Sequence, residues 1–207
     1  MRDTVDRHSR AFWLKHLHRW HWISSAVSLV VLLLFSVTGF TLNHAGAIEA
    51  SPHVTREATT LPPALLGQLV DPGRKSAPVA APVAAFVAGH TGARIDGRAG
   101  DWSEDEVYVS LPRPGGDGWV SIDRETGAVQ VETTDRGWLA YLNDLHKGRN
   151  TGPVWSWFID IFALACVVFA LTGLLLLKLH AGQRGMTWSM VVLGFVLPVV
   201  IALLFIH

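Results

Sequence analysis

Residues 23–42, "ISSAVSLVVLLLFSVTGFTL", carry no charged side chain in 20 positions. A helix of about 20 apolar residues crosses the hydrocarbon core of a bilayer, so this run decides the class of the fold. Two later runs repeat it. Residues 154–177 hold one charge, Asp160, in 24 positions, and residues 187–206 hold none in 20. Three transmembrane helices are expected. Each contains Gly, Ser, Thr or Pro, residues that membrane helices tolerate and use for close packing. Half of the chain is apolar and only 16% is charged, which is lean for a soluble domain. The net charge of +0 gives no footing for a nucleic-acid partner.

The flanks orient the spans. Arg2, Arg7, Arg10, Lys15 and Arg19 precede the first run, and only Arg56 follows within 15 residues. The excess of cations predicts a cytoplasmic N-terminus in a bacterial-type inner membrane. The second run is ambiguous on this rule, with Lys147 and Arg149 before it and Lys178 and Arg184 after it. With the first span dominant, the expected order is a basic and aromatic cytoplasmic leader (1–22), span one (23–44) and an extracytoplasmic module (45–136). An interfacial helix (137–152), span two (153–178), a cytoplasmic turn (179–186) and span three (187–207) complete it. "HAGA" and "AIEA" after the first run have the small residues of a signal-peptidase site, but the long leader and the long span favour a retained anchor. Cys166, the single cysteine, lies inside the second run, which excludes a disulfide or a multi-thiolate metal cluster within this chain.

Between spans one and two, residues 45–77 are rich in Pro, Thr and Ala, with one short helical candidate, "PPALLGQLVD". Residues 78–90 predict a small helix with Pro82 in its first turn and an end near Gly89. "DEVYVSLP" alternates apolar and polar residues, "GGDG" turns, "GWVSID" alternates again, "RETG" turns and "AVQVETT" continues. This predicts a three-stranded antiparallel meander. The expected fold class is an α+β membrane protein with a small module between helices one and two. Residues 137–148, "GWLAYLNDLHKG", predict a short amphipathic helix with Trp138, Leu139, Leu142 and Leu145 on its apolar side.

"GWVSIDRETGAVQ" resembles the strand-turn-strand ending of PepSY domains. "LHRWHW", "FSVTGFTLNH", "LNDLHKGRNTG", "WSWFID" and "FALTGLLLL" together resemble the PepSY-associated transmembrane helix family, across most of residues 17–177. That larger group includes inner-membrane reductases that bind haem and reduce iron carried by siderophores. The resemblance implies electron transfer through one or two b-type haems, in a membrane reductase or its haem-carrying component. It also implies partners in siderophore-bound iron or a transport protein. With no Gly-x-Gly-x-x-Gly and only short cytoplasmic parts, a separate electron donor is needed. A non-enzymatic PepSY module that binds a peptide or scaffolds a transporter is the alternative.

The chain has ten histidines, placed unevenly. His16, His18 and His21 approach span one, His44 ends it, His146 precedes span two and His180 follows it. Antiparallel helices would bring His44 to His146 at one face and one of the early three to His180 at the other. Two such pairs suit bis-imidazole haems. His44 and His146, and His18 or His21 with His180, are the candidate ligands. The bland alternative is that edge histidines sit among headgroups. His21 and His44 are 23 residues apart, about 35 Å in a helix, so one haem or two both remain open. A bare metal site from His44, His146 and His53 or His90 is a third option.

"FSVTGFTL" and "FALTGLLL" share Phe-x-x-Thr-Gly-x-x-Leu. Gly39 and Gly173 in them would clear room for a porphyrin or for a neighbouring helix backbone. Lys147 and Arg149 could hold haem propionates or an anionic chelate, or simply lipid phosphate. Asp160 is an acid inside a span, a costly placement that points to a partner. Three helices enclose a cofactor poorly, so a homodimer is a further expectation.

Overall fold

The computed structural model describes residues 2–48, 51–70, 73–180 and 185–206. Arg184, residues 49–50 of the cleavage-site reading and His207 lie outside the described residues, as do the side chains of Arg2, Arg7 and Arg10. The chain divides into two compact units, Leu34–Phe158 and the remainder, Met1–Leu33 with Ile159–His207.

Three helices are long and apolar enough to cross a membrane: Ala11–Asn43, Gly152–His180 and Thr187–Phe205, with mean hydropathy 2.2, 2.5 and 2.6. The fold is that of an α+β membrane protein. Helix α1 (Arg2–Asn43) already begins within the leader, so the leader and the first span form one continuous helix. Helices α5 (Gly152–His180) and α6 (Thr187–Phe205) supply the other two.

In the unit containing the early part of α1, two small polar residues of that helix, Ser24 and Ser28, are buried. Each hydroxyl donates to its own helix, Ser24 to Trp20 O and Ser28 to Ser24 O, both at 2.7 Å. This satisfies the hydroxyl without a partner helix, as an apolar surrounding demands. On α5, Phe162 and Thr172 are the buried residues. Helix α6 buries none of its side chains against the rest of its unit, and being apolar all round it suits contact with lipid.

The second unit is built on a six-stranded antiparallel sheet in the order β1-β6-β5-β4-β3-β2. Its strands are β1 (His53–Thr60), β2 (Ser76–Pro78), β3 (Ala99–Trp102), β4 (Glu106–Ser110), β5 (Gly116–Asp123) and β6 (Ala128–Asp135). The alternating residues of the expected meander form one face: Val107, Val109, Val120, Ile122 and Val129 are wholly buried and Val131 nearly so. Register puts Val109 opposite Val120 and Val107 opposite Ile122, and then Val120 opposite Val131 and Ile122 opposite Val129. Helix α3 (Ala81–Thr91) lays Val83, Ala84 and Val87 on this face, while Leu61 and Ile95 close its margins. Each such aliphatic burial contributes about 1.5–3 kcal/mol, enough in sum to hold a small module together.

The sheet is twice as wide as the three strands read from the pattern. Strand β1 is almost wholly exposed, so it has no period-two apolar signal. It is held by an eight-residue ladder with β6 and by the Arg56–Glu132 ion pair at 2.7 Å. Strands β2 and β3 are too short to leave a pattern. Helix α3 runs past Gly89 to Thr91 and is stopped by Gly92 in the left-handed conformation. The "PPALL" candidate is a single turn, α2 (Pro63–Leu66).

Candidate functional site: two histidine clasps

Helix α4 (Gly137–Lys147) connects the sheet to α1 within the second unit. On one side it docks on the turn before β5. The Asp144 carboxylate accepts the Gly115 N–H at 2.9 Å, Arg136 N–H donates to Gly115 O at 2.8 Å, and the Arg136 guanidinium pairs with Asp117. Gly115 has φ +73 and lies so close to Tyr141 that an added Cβ would stand 2.8 Å from the tyrosine Cβ. At its far end α4 is tied to the start of α5, where the Trp155 indole N–H donates to Leu145 O at 2.9 Å.

On the other side α4 meets α1. Asn143 is the buried residue of α4, and its Oδ1 accepts the Thr41 hydroxyl at 3.1 Å. One turn on, the His146 Nδ1 lies 2.7 Å from Thr38 Oγ1. The same imidazole leans on the Phe35 ring with centroids 4.9 Å apart, and its Cε1 is 3.5 Å from where a Cβ on Gly39 would be. Three residues of one motif, Phe35, Thr38 and Gly39, thus grip one histidine.

The second copy of the motif does the same in the other unit. His21 Nδ1 lies 3.1 Å from Thr172 Oγ1. The ring stacks on Phe169 at 4.7 Å and 15°, and its Cε1 is 3.1 Å from an ideal Cβ on Gly173. The space opened by Gly39 and Gly173 is therefore taken by an imidazole from a neighbouring helix.

Each threonine proton has two destinations in its clasp, the helix carbonyls or the imidazole. Thr38 Oγ1 donates to Leu34 O at 3.0 Å and Phe35 O at 3.2 Å, and Thr172 Oγ1 to Val168 O at 2.7 Å and Phe169 O at 3.1 Å. A hydroxyl has one proton and two acceptor lone pairs. Where that proton goes to the helix, the threonine oxygen accepts and the histidine carries its proton on Nδ1; where it goes to the imidazole, Nδ1 is the bare nitrogen.

The other candidate histidines are held only by their own helices. Nδ1 of His18 donates to Leu14 O at 2.8 Å, that of His44 to Phe40 O at 2.9 Å and that of His180 to Leu176 O at 2.9 Å. His16 and His90 do the same, to Phe12 O and Phe86 O. His90 belongs to the sheet unit, so this local bond is an ordinary habit of helical histidines and does not by itself mark a ligand. His18, His44 and His180 are exposed, whereas His21 and His146 are half-buried.

Across helices, the imidazoles of His18 and His180 meet edge to face with centroids 5.7 Å apart. It is His18, of the three early histidines, that reaches His180; His21 is engaged by Thr172. On the other side His146 contacts Thr38, Phe35 and Gly39, while His44 stacks on Phe40 of its own helix at 4.4 Å. Lys147 sits in the last turn of α4 before the left-handed Gly148, and Arg149 follows it; both are exposed. Asp160 is exposed on α5. No group of three or more His, Cys, Asp or Glu that could hold a metal ion occurs among the described residues. Thr38, Thr172, Phe35 and Phe169 are site residues that the sequence pattern contained, in the repeated motif, without disclosing their role.

Residues 12–207 match a family described as "Putative PepSY_TM-like". No curated protein and no solved structure matches the chain.

Proposed function

The chain belongs to the PepSY_TM-like family, and on that footing we propose that it is a haem b-binding membrane protein that passes electrons across the bilayer. The observation that carries this reading is the His18–His180 pair, two imidazoles from different apolar helices with ring centres 5.7 Å apart. For one iron to take both, at metal–nitrogen distances of about 2.0–2.1 Å, the two rings would turn their Nε2 atoms toward each other and part slightly. Both rings have Nδ1 occupied by a carbonyl, which leaves Nε2 as the ligand nitrogen.

The donor set favours haem over a bare ion. A structural metal ion wants about four protein donors, and no group of even three converges among the described residues. Haem brings four nitrogens of its own and asks the protein for one or two imidazoles. His18 and His180 would hold one such group, with His21 beside them. His146 and His44 are the candidates for a second, with Lys147 and Arg149 exposed nearby in sequence for propionates or an anionic chelate. When bound, haem supplies a reversible one-electron step; the protein supplies ligands, apolar surroundings and the tautomer of each imidazole. The leader cations favour a cytoplasmic N-terminus; with that orientation electrons would pass from a separate donor there to an outer acceptor such as chelated ferric iron.

The test is an absorption spectrum of the purified full chain, oxidised and dithionite-reduced, with haem-to-protein stoichiometry. Sharp α and β bands are expected, lost in part in His18→Ala and His180→Ala and separately in His146→Ala. A protein colourless after expression with ample haem would refute the reading. It would leave the PepSY module as a binding scaffold, for which the outer edge of β1 is free to accept a strand.

A further inference from the structure

We infer that Thr38 and Thr172 are positioning residues, each fixing one histidine as the Nδ1–H tautomer so that its basic Nε2 is presented in a set direction. The inference deepens the haem reading and rests on it for its use, but the tautomer itself exists with or without haem.

The two clasps share the same parts. An aromatic ring three residues before the threonine carries the imidazole face, the threonine oxygen takes the Nδ1 proton, and the glycine after it leaves room for Cε1. The histidines are supplied from opposite senses: α1 holds a histidine of α4, and α5 holds a histidine of α1. Generic helix packing does not require this combination. A small residue would serve a close helix crossing, but it would not call for a threonine whose oxygen also faces an imidazole from another helix. With its proton given to the backbone, the hydroxyl acts as an acceptor, which is how a second partner selects the metal-binding nitrogen of a histidine. Both threonines are buried, Thr38 at 4% and Thr172 at 8% exposure, so water does not compete for the bond.

Four variants of the full chain test this: Thr38→Val and Thr172→Val, which keep the branched shape and remove the oxygen, and Thr38→Ser and Thr172→Ser, which keep the hydroxyl. The first readout is the nitrogen spectrum of protein labelled with 15N-histidine in bilayers, without haem. His146 and His21 are expected to show a protonated Nδ1 and a bare Nε2. Thr38→Val should abolish that signature for His146 alone, Thr172→Val for His21 alone, and the serine variants should retain it. The second readout is the midpoint potential of bound haem. The acceptor raises the electron-donating power of a ligating imidazole, so Thr38→Val, which acts on the candidate ligand His146, should titrate at higher potential and Thr38→Ser near wild type. Unchanged nitrogen spectra in folded valine variants would overturn the inference and reduce each clasp to a packing contact. Tautomers that follow the hydroxyl in a protein with no haem would uphold it while refuting the haem reading.

Discussion

The two clasps differ in how closely the histidine approaches the glycine, and that difference predicts unequal responses to the same substitution. A methyl placed on Gly39 would lie 3.5 Å from His146 Cε1, whereas one on Gly173 would lie 3.1 Å from His21 Cε1 and 3.6 Å from its Nδ1. Comfortable carbon contacts begin at about 3.5 Å. Gly39→Ala therefore needs no movement, but Gly173→Ala requires the His21 ring to retreat by about 0.4 Å from α5. Thr172 is the next residue on that helix, so the same retreat carries Nδ1 away from Thr172 Oγ1. The bond of 3.1 Å would lengthen to about 3.5 Å, beyond the useful range for N–H···O.

Alanine gains roughly 0.8–1.0 kcal/mol over glycine in a helix interior, and a hydrogen bond is worth about 0.5–1.5 kcal/mol. Gly39→Ala should thus stabilise by up to about 1 kcal/mol. Gly173→Ala should come out near zero, its propensity gain offset by the lost bond. Denaturation in mixed micelles reads the stability, and the histidine nitrogen spectrum reads the clasp. His146 should be untouched in Gly39→Ala, while His21 loses its fixed tautomer in Gly173→Ala. Equal stabilisation by both substitutions, with both histidines unchanged, would refute the reasoning.

Gly115→Ala combines a left-handed residue, costing about 1–2 kcal/mol, with collision against Tyr141, costing about 1–3 kcal/mol. A loss of about 2–5 kcal/mol is expected in chemical denaturation, together with loosening of α4 and of the His146 clasp. Ile122→Ala removes a side chain with no exposed surface and should cost about 2–5 kcal/mol in the same measurement. Asp123 accepts the backbone N–H of Thr126, the Thr126 hydroxyl and the Glu125 N–H, and the Thr126 bonds foremost hold its carboxyl below the ordinary 3.8. Its folded value is the depressed one, so its stabilising contribution is present above 3.8 and is lost as pH falls through the lower folded value. Carboxyl-carbon titration should find it below 3.8, and Asp123→Asn should remove that part of the acid sensitivity.

Much of the fold was legible because its signals are local. Uncharged runs announced three helices, and period-two alternation in "DEVYVSLP" and "GWVSID" announced the buried face of β4 and β5. Strand β1 was not legible: "HVTREATT" faces water along nearly its whole length, and its place is set by the ladder to β6 rather than by burial. The site was half legible. Histidines at helix ends and the repeated Phe-x-x-Thr-Gly stood out, but the pattern could not say what filled the glycine notch. A threonine in an apolar helix ordinarily bonds back to its own carbonyls, as Thr38 and Thr172 do. Its second role, accepting from a histidine 108 or 151 residues away, depends on helix pairing that sequence spacing does not contain.

The division between clasped and unclasped histidines has an energetic consequence for any ligand. His21 and His146 are half-buried and already held at three points, so little rotamer freedom remains for them to lose. His18, His44 and His180 are exposed and held by one local bond each. Ordering such a side chain on binding costs about 0.5–1.5 kcal/mol. A ligand that engaged only the exposed histidines would bear that cost for each of them, whereas one that engaged a clasped histidine would meet a ring whose nitrogen is chosen in advance. Preorganisation of this kind is what separates a functional imidazole from a histidine resting among headgroups. Of the candidate histidines, His21 and His146 are the two whose imidazoles contact a threonine on another helix.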